Sequence, residues 1–208
     1  GSFRNKLGIK ADAPILLSVG RVDKEKRLDF LIDAFIQISE RFPDARLVFA
    51  GDGGARADLE KKAAATQVND RIHFLGMVDR STLPAILHDA TIFLSASTTE
   101  VHPISVIEAI ASGLPLVAVQ DEAFEGMIEE GENGYQVALD VETYANKLTE
   151  MLKDGQALER FGKKSAELSL KYSIEGQTLS LETLYIESLL QHWRGRHGVR
   201  ERLSSLQQ

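Results

Sequence analysis

The sequence contains no cysteine, which removes a disulfide framework, a thiolate zinc site and a thiol nucleophile from consideration and makes the cytoplasm the default expectation. It has no apolar run near the roughly 20 residues that a membrane-spanning helix needs, and no charged-then-apolar leader at its start. Its histidines, His73, His88, His102, His192 and His197, show no metal-ligand spacing, and no Asp-any-Asp pair is present. Positive charge is also scarce: 24 Lys and Arg stand against 31 Asp and Glu, a net charge of -7. That balance disfavours a nucleic-acid footprint, which needs cations concentrated on one face.

What is present is ordinary for a globular protein of one domain or two small ones, with 43% hydrophobic and 26% charged residues and no internal repeat. The chain opens on Gly1-Ser2 without Met, a pattern left by a cleaved expression tag, so Phe3 is expected to be a chosen boundary inside a longer protein. Near the other end Arg194, Arg196, Arg200 and Arg202 face one acid, Glu201, with Trp193 beside them. This basic tail, 192–208, is compatible with an anionic membrane surface, and so with a peripheral place at the inner membrane face; a frayed, solvated terminus is the reading that weighs more.

Ile15-Leu16-Leu17-Ser18-Val19, stopped by Gly20, reads as a buried strand ending in a tight turn. Leu28, Leu31, Ile32, Phe35 and Ile38 then recur at three- and four-residue intervals and predict a helix ending before Pro43. Further strands are expected over residues 47–50, 72–75, 92–95, 116–119 and 134–137, with helices over 55–66, 82–88 and 104–112 between them. Short apolar strands alternating with amphipathic helices imply right-handed crossovers and a parallel sheet with helices on both faces, a doubly wound α/β domain. After Asp140, a cap for a helix over 141–153, only helices are expected, over 157–170 and 177–190. The α/β domain with this helical segment is taken to span 3–191.

In an open α/β sheet, ligands bind beyond the carboxyl ends of the strands. After the first strand, Gly20 permits close backbone approach, and Arg21 and Lys26 offer a planar fork and a point charge to a diphosphate. After the second, Gly51-Asp52-Gly53-Gly54 has the composition of a nucleotide turn. After the fourth, Glu100 precedes Val101-His102-Pro103, and Ile104, Ser105 and Glu108 follow. With Pro103 in the first helical turn, where its missing N–H costs nothing, the next amides and the helix dipole make an anion site. Glu108 lies one turn beyond Ile104 on the same face, placed to accept hydrogen bonds from a ribose diol, and Glu100 can serve sugar hydroxyls. Glu108 also interrupts an apolar segment, where an unpaired carboxylate is costly.

Two glutamates separated by seven residues, followed by Glu108-Ala109-Ile110-Ala111-Ser112-Gly113-Leu114-Pro115, resemble the donor-site signature of glycosyltransferase family 4 and its relatives. Ser18-Val19-Gly20-Arg21 with Lys26, Gly51-Asp52-Gly53, Phe74-Leu75-Gly76 and Glu132-Asn133-Gly134 follow in that family's order. The resemblance implies the Rossmann-like, C-terminal half of a retaining GT-B enzyme. It implies that Arg21 and Lys26 bind the diphosphate, Glu108 the ribose, Glu100 the transferred sugar, and the loop after Leu75, with Gly76 and Met77, the base. Gly20, Gly51, Gly53, Ile104 and Ser105 complete the donor contacts, and the catalytic roles fall on Arg21, Lys26 and Glu100. The implied substrate is a UDP- or GDP-hexose, with no cofactor and no metal ion, charge stabilisation coming from the cations and the helix end. The acceptor, a glycan, lipid or small molecule, and an acid–base histidine belong to a preceding domain, so this half is expected to be inactive alone. The chain departs from the family's habit at Val101-His102-Pro103, where a glycine-rich stretch is common, and at Gly126, where a glutamate is usual.

Two other classes stand beside this reading. A dinucleotide-binding oxidoreductase domain needs Gly-any-Gly-any-any-Gly after the first strand, which Gly20-Arg21-Val22 does not provide. A non-catalytic α/β partner-binding module predicts no nucleotide binding at all.

Overall fold

Ile15, Leu16 and Leu17 are each fully buried, as an apolar run without alternation requires, because both faces of such a strand must be covered. In a computed structural model, which describes residues 3–100, 103–178 and 181–187, they form the centre of a six-stranded parallel sheet. Its strands are β1 (Ile15–Val19), β2 (Arg46–Ala50), β3 (Ile72–Phe74), β4 (Ile92–Ser95), β5 (Leu116–Val119) and β6 (Gly134–Val137). Their spatial order is β3-β2-β1-β4-β5-β6, and the strand order reverses between β1 and β4, which pair through Leu16 with Ile92 and Leu17 with Phe93. This is the doubly wound arrangement that the alternating pattern predicts.

The helices are α1 (Phe3–Lys6), α2 (Leu28–Ile38), α3 (Arg56–Ala64), α4 (Leu83–Asp89), α5 (Ile104–Ala111), α6 (Val141–Lys153) and α7 (Gly155–Ser169). The α2 helix packs on α6 and α5 on α7, one pair on each side of the sheet, as right-handed crossovers running in opposite directions from the centre demand. Tyr144 of α6 is wholly buried, edge-on to Phe30 of α2 with ring centroids 5.3 Å apart, and its hydroxyl donates to the Val117 carbonyl at 2.6 Å. The aromatic body thus packs the core while its polar end is satisfied. Asp140 caps α6 as expected, accepting from the Thr143 amide at 2.8 Å.

Three local features differ from the pattern-based expectation. The short α1 lies outside the sequence pattern: a four-residue helix carries no periodicity, and tertiary bonds hold it, with the Arg4 guanidinium donating to the carbonyls of Ala13 and Asp89 at 2.6 and 2.7 Å. The α7 helix starts at Gly155 rather than 157 because the Asp154 carboxylate accepts from the Ala157 amide at 2.9 Å and so caps it. Pro103 occupies the position before α5, with φ −79° and ψ 75°, and not the first helical turn.

The chain divides into two compact units, Gly1–Ser169 and Leu170–Gln208. In the second, the backbone is helical at 174–178 and 181–187. The basic tail with Trp193 and the four arginines lies outside the described residues.

Candidate functional site

The turn after β1 is built by its neighbours. Gly20 donates to the Ala50 carbonyl, Val22 to that of Asp52 at 2.9 Å, and Ala55 returns a bond to Val22 at 2.9 Å, so the turns after β1 and β2 are laced together through the backbone. Asp23 adds a side-chain tie: one carboxylate oxygen accepts from the Gly54 amide at 3.0 Å and the other from Arg21 at 2.9 Å. Arg21 also reaches Glu25 at 2.5 Å, with its side chain 68% exposed. Lys26 turns inward and meets Glu100, from the loop after β4, at 2.6 Å. That pair is shielded, the side chains being 20% and 16% exposed.

Between β1 and β4 these turns enclose a crevice of about 410 Å³, at the point of strand-order reversal where ligands of this fold class bind. Gly20, Arg21, Lys26, Glu100, Ile104, Ser105 and Glu108 all line it, so seven of the residues singled out from the sequence meet in one place. At its far wall α5 begins. The amides of Val106 and Ile107 both donate to the Pro103 carbonyl, whereas those of Ile104 and Ser105 donate to no described residue and remain available to an anion at the positive end of the helix dipole. Glu108 is half-buried, and no described residue pairs with its carboxylate. It also borders a second cavity of about 320 Å³ between α4 and α5, lined by Arg80, Leu83 and Leu87.

The glycines of the second and third turns are placed differently. Gly51, Gly53, Gly76 and Met77 do not line the crevice. A Cβ on Gly53 would lie 2.5 Å from the Val22 carbonyl oxygen, so the need for glycine is explained by backbone packing against the first turn. Met77 is 85% exposed beyond β3. A larger cavity of about 630 Å³ lies between α2 and α3, against Leu28, Ala55 and Leu59. It contains neither site glutamate nor the free α5 amides, and size alone does not make it the reactive centre.

One residue at the site escaped the sequence reading. Ser97, two residues beyond β4, is 1% exposed, lines the crevice, and its hydroxyl has no hydrogen-bond partner among the described residues. A buried hydroxyl left unmatched is unfavourable. Its only signal in the sequence was its place three residues before Glu100.

The chain is 32% identical over 193 residues to the Alpha-monoglucosyldiacylglycerol synthase of Acholeplasma laidlawii, covering 89% of this chain and 46% of that protein. Its fold matches sucrose-phosphate synthase from Thermosynechococcus elongatus with a TM-score of 0.78 at 26% identity, over 90% of this chain and 48% of that one. It also matches the pneumococcal O-GlcNAc transferase GtfA, solved in complex with UDP and GlcNAc, with a TM-score of 0.74 at 26% identity, over 85% of this chain and 36% of that one. The chain thus spans less than half the length of each of these proteins. The sheet with its two helical layers is the Rossmann-like half of a GT-B fold. The family described as Glycosyl transferases group 1 matches residues 2–168, and the chain belongs to that family.

Proposed function

We propose that the chain is the donor-binding domain of a retaining hexosyltransferase and holds a nucleoside-diphosphate sugar in the crevice between β1 and β4. The observation that carries this is the convergence, around one 410 Å³ space, of two cations, two carboxylates and the free amides of a helix N-terminus. That set matches the parts of a sugar nucleotide. Arg21, Lys26 and the Ile104 and Ser105 amides suit the diphosphate, Glu108 the ribose diol, and Glu100 the hydroxyls of the sugar. The base then falls to the loop after β3, with Gly76 and Met77. The GtfA complex with UDP, to which this chain is similar, supports the class of ligand.

In the complete enzyme, the bond between the anomeric carbon and the diphosphate oxygen breaks. An acceptor oxygen takes its place on the same face, and the acceptor's hydroxyl proton is released. The positive groups stabilise the charge that develops on the departing diphosphate and need no divalent cation to do so. Because the chain spans about half the length or less of the curated relatives it matches, we place the acceptor site, for a glycan, lipid or small molecule, outside it; the isolated chain binds donor and transfers nothing. Cytoplasmic residence, with the basic tail against the inner membrane face, is the setting that suits such a donor.

Calorimetry of this chain with UDP and with GDP tests the reading. Binding of one or both is expected, with the same affinity in EDTA as in magnesium. A chain that binds neither, alone or as sugar conjugates, is not a donor domain, and one whose binding EDTA abolishes is not metal-independent.

A further inference from the structure

The ion pair between Lys26 and Glu100 joins residues 74 apart in sequence, at 2.6 Å, with both side chains largely shielded from water. Among the described residues, Lys26 donates to no other acceptor and Glu100 accepts from no other donor. The two groups assigned to adjoining parts of a bound donor, its diphosphate and its sugar, are therefore, in the empty protein, each other's counter-ion.

We infer that this pair is an exchange switch by which the site favours a nucleoside-diphosphate sugar over the bare diphosphate; the inference rests on the donor-site reading above. A bare diphosphate that draws the Lys26 ammonium to itself leaves Glu100 without a partner, in a shielded position and beside added negative charge. Both consequences oppose binding. A sugar attached to the diphosphate brings hydroxyl donors to Glu100 as Lys26 departs, so every charged group keeps a partner. The exchange moves no proton and makes no covalent bond. Once the sugar has been transferred its hydroxyls are gone, Glu100 reclaims Lys26, and the diphosphate loses one of its cations. Release of the spent nucleotide is thus built into the same contact that positions the donor.

A double-mutant cycle on the 208-residue chain, with UDP and UDP-glucose as probes in calorimetry, tests this. Glu100→Gln frees Lys26 and is expected to tighten UDP about three- to tenfold, while UDP-glucose, which loses its carboxylate partner, gains little or weakens. In the Lys26→Gln background, chosen because it keeps a donor facing Glu100, the gain on UDP is expected to shrink or vanish. Unchanged or weaker UDP binding by Glu100→Gln overturns the switch. An equal gain in both backgrounds also overturns it, since it would show simple removal of a negative charge. If no variant and not the wild-type chain binds either probe or GDP, the donor-site reading itself fails and the switch falls with it.

Discussion

The backbone of Gly51 lies so close against Gly20 that a Cβ on Gly51 would sit 1.8 Å from the Gly20 carbonyl oxygen. The turn that ends β2 therefore props the turn that presents Arg21, and only a residue without a side chain allows it. Gly51 also has φ 147°, a region L side chains rarely occupy. Gly51→Ala is expected to cost about 3 kcal/mol or more, through strain and overpacking. Chemical denaturation reads the loss, and a change below about 1 kcal/mol would mean that the two turns separate easily.

Arg27 is the one described non-glycine residue with positive φ, at 47°, where it precedes α2. Left-handed backbone costs an L residue about 1–2 kcal/mol, against which glycine's greater freedom in the unfolded chain offsets roughly 0.4–1 kcal/mol. Arg27→Gly is therefore expected to raise stability by about 0.5–1 kcal/mol, seen as a higher denaturation midpoint at unchanged slope.

Ser97 separates stability from binding. Its hydroxyl has no partner among the described residues and so contributes nothing favourable in the empty protein, and Ser97→Ala should leave the thermal midpoint unchanged or raise it. If the hydroxyl completes a bond to the bound nucleotide, UDP affinity should fall by about five- to tenfold, the worth of about one hydrogen bond. Equal affinity for the variant and the wild-type chain would make Ser97 a bystander.

Glu108 pairs with no described residue, in contrast to Glu100, so its removal frees no described cation. Glu108→Ala is expected to weaken UDP and UDP-glucose alike, by roughly ten- to a hundredfold, as loss of a charged hydrogen-bond acceptor does. A loss confined to the sugar nucleotide would move Glu108 from the ribose to the sugar.

His73 of β3 predicts an acid sensitivity. Its Nε2 is buried without a partner among the described residues, and burial, helped by the nearby Arg46, pushes its pKa below the usual histidine value, with Asp70 opposing. The folded protein thus holds His73 neutral where the unfolded chain would protonate it, and the unfolded state takes up more protons as the pH falls below about 6.5. Stability should decline through that window and be level above it. His73→Leu should flatten the decline, measured by urea denaturation at a series of pH values.

The alternation of apolar runs with amphipathic stretches was enough to read the layers of this protein, because strand and helix periodicities are local properties of the chain. So was the content of the crevice as a list of residue types: the family's motif places Arg21 and Lys26 after β1 and Glu100 and Glu108 after β4, and parallel topology collects strand ends at one edge of the sheet. Partnership among those residues was not legible. That Lys26 closes on Glu100 rather than Glu25, which takes Arg21, that Gly51 and Gly53 serve one turn's approach to another, and that the Ser97 hydroxyl is left unmatched are all consequences of contacts between residues distant in sequence. Such contacts depend on ångström-scale distances between strand ends. Local pattern sets which groups arrive at the sheet's edge, while packing of the whole domain sets which of them touch.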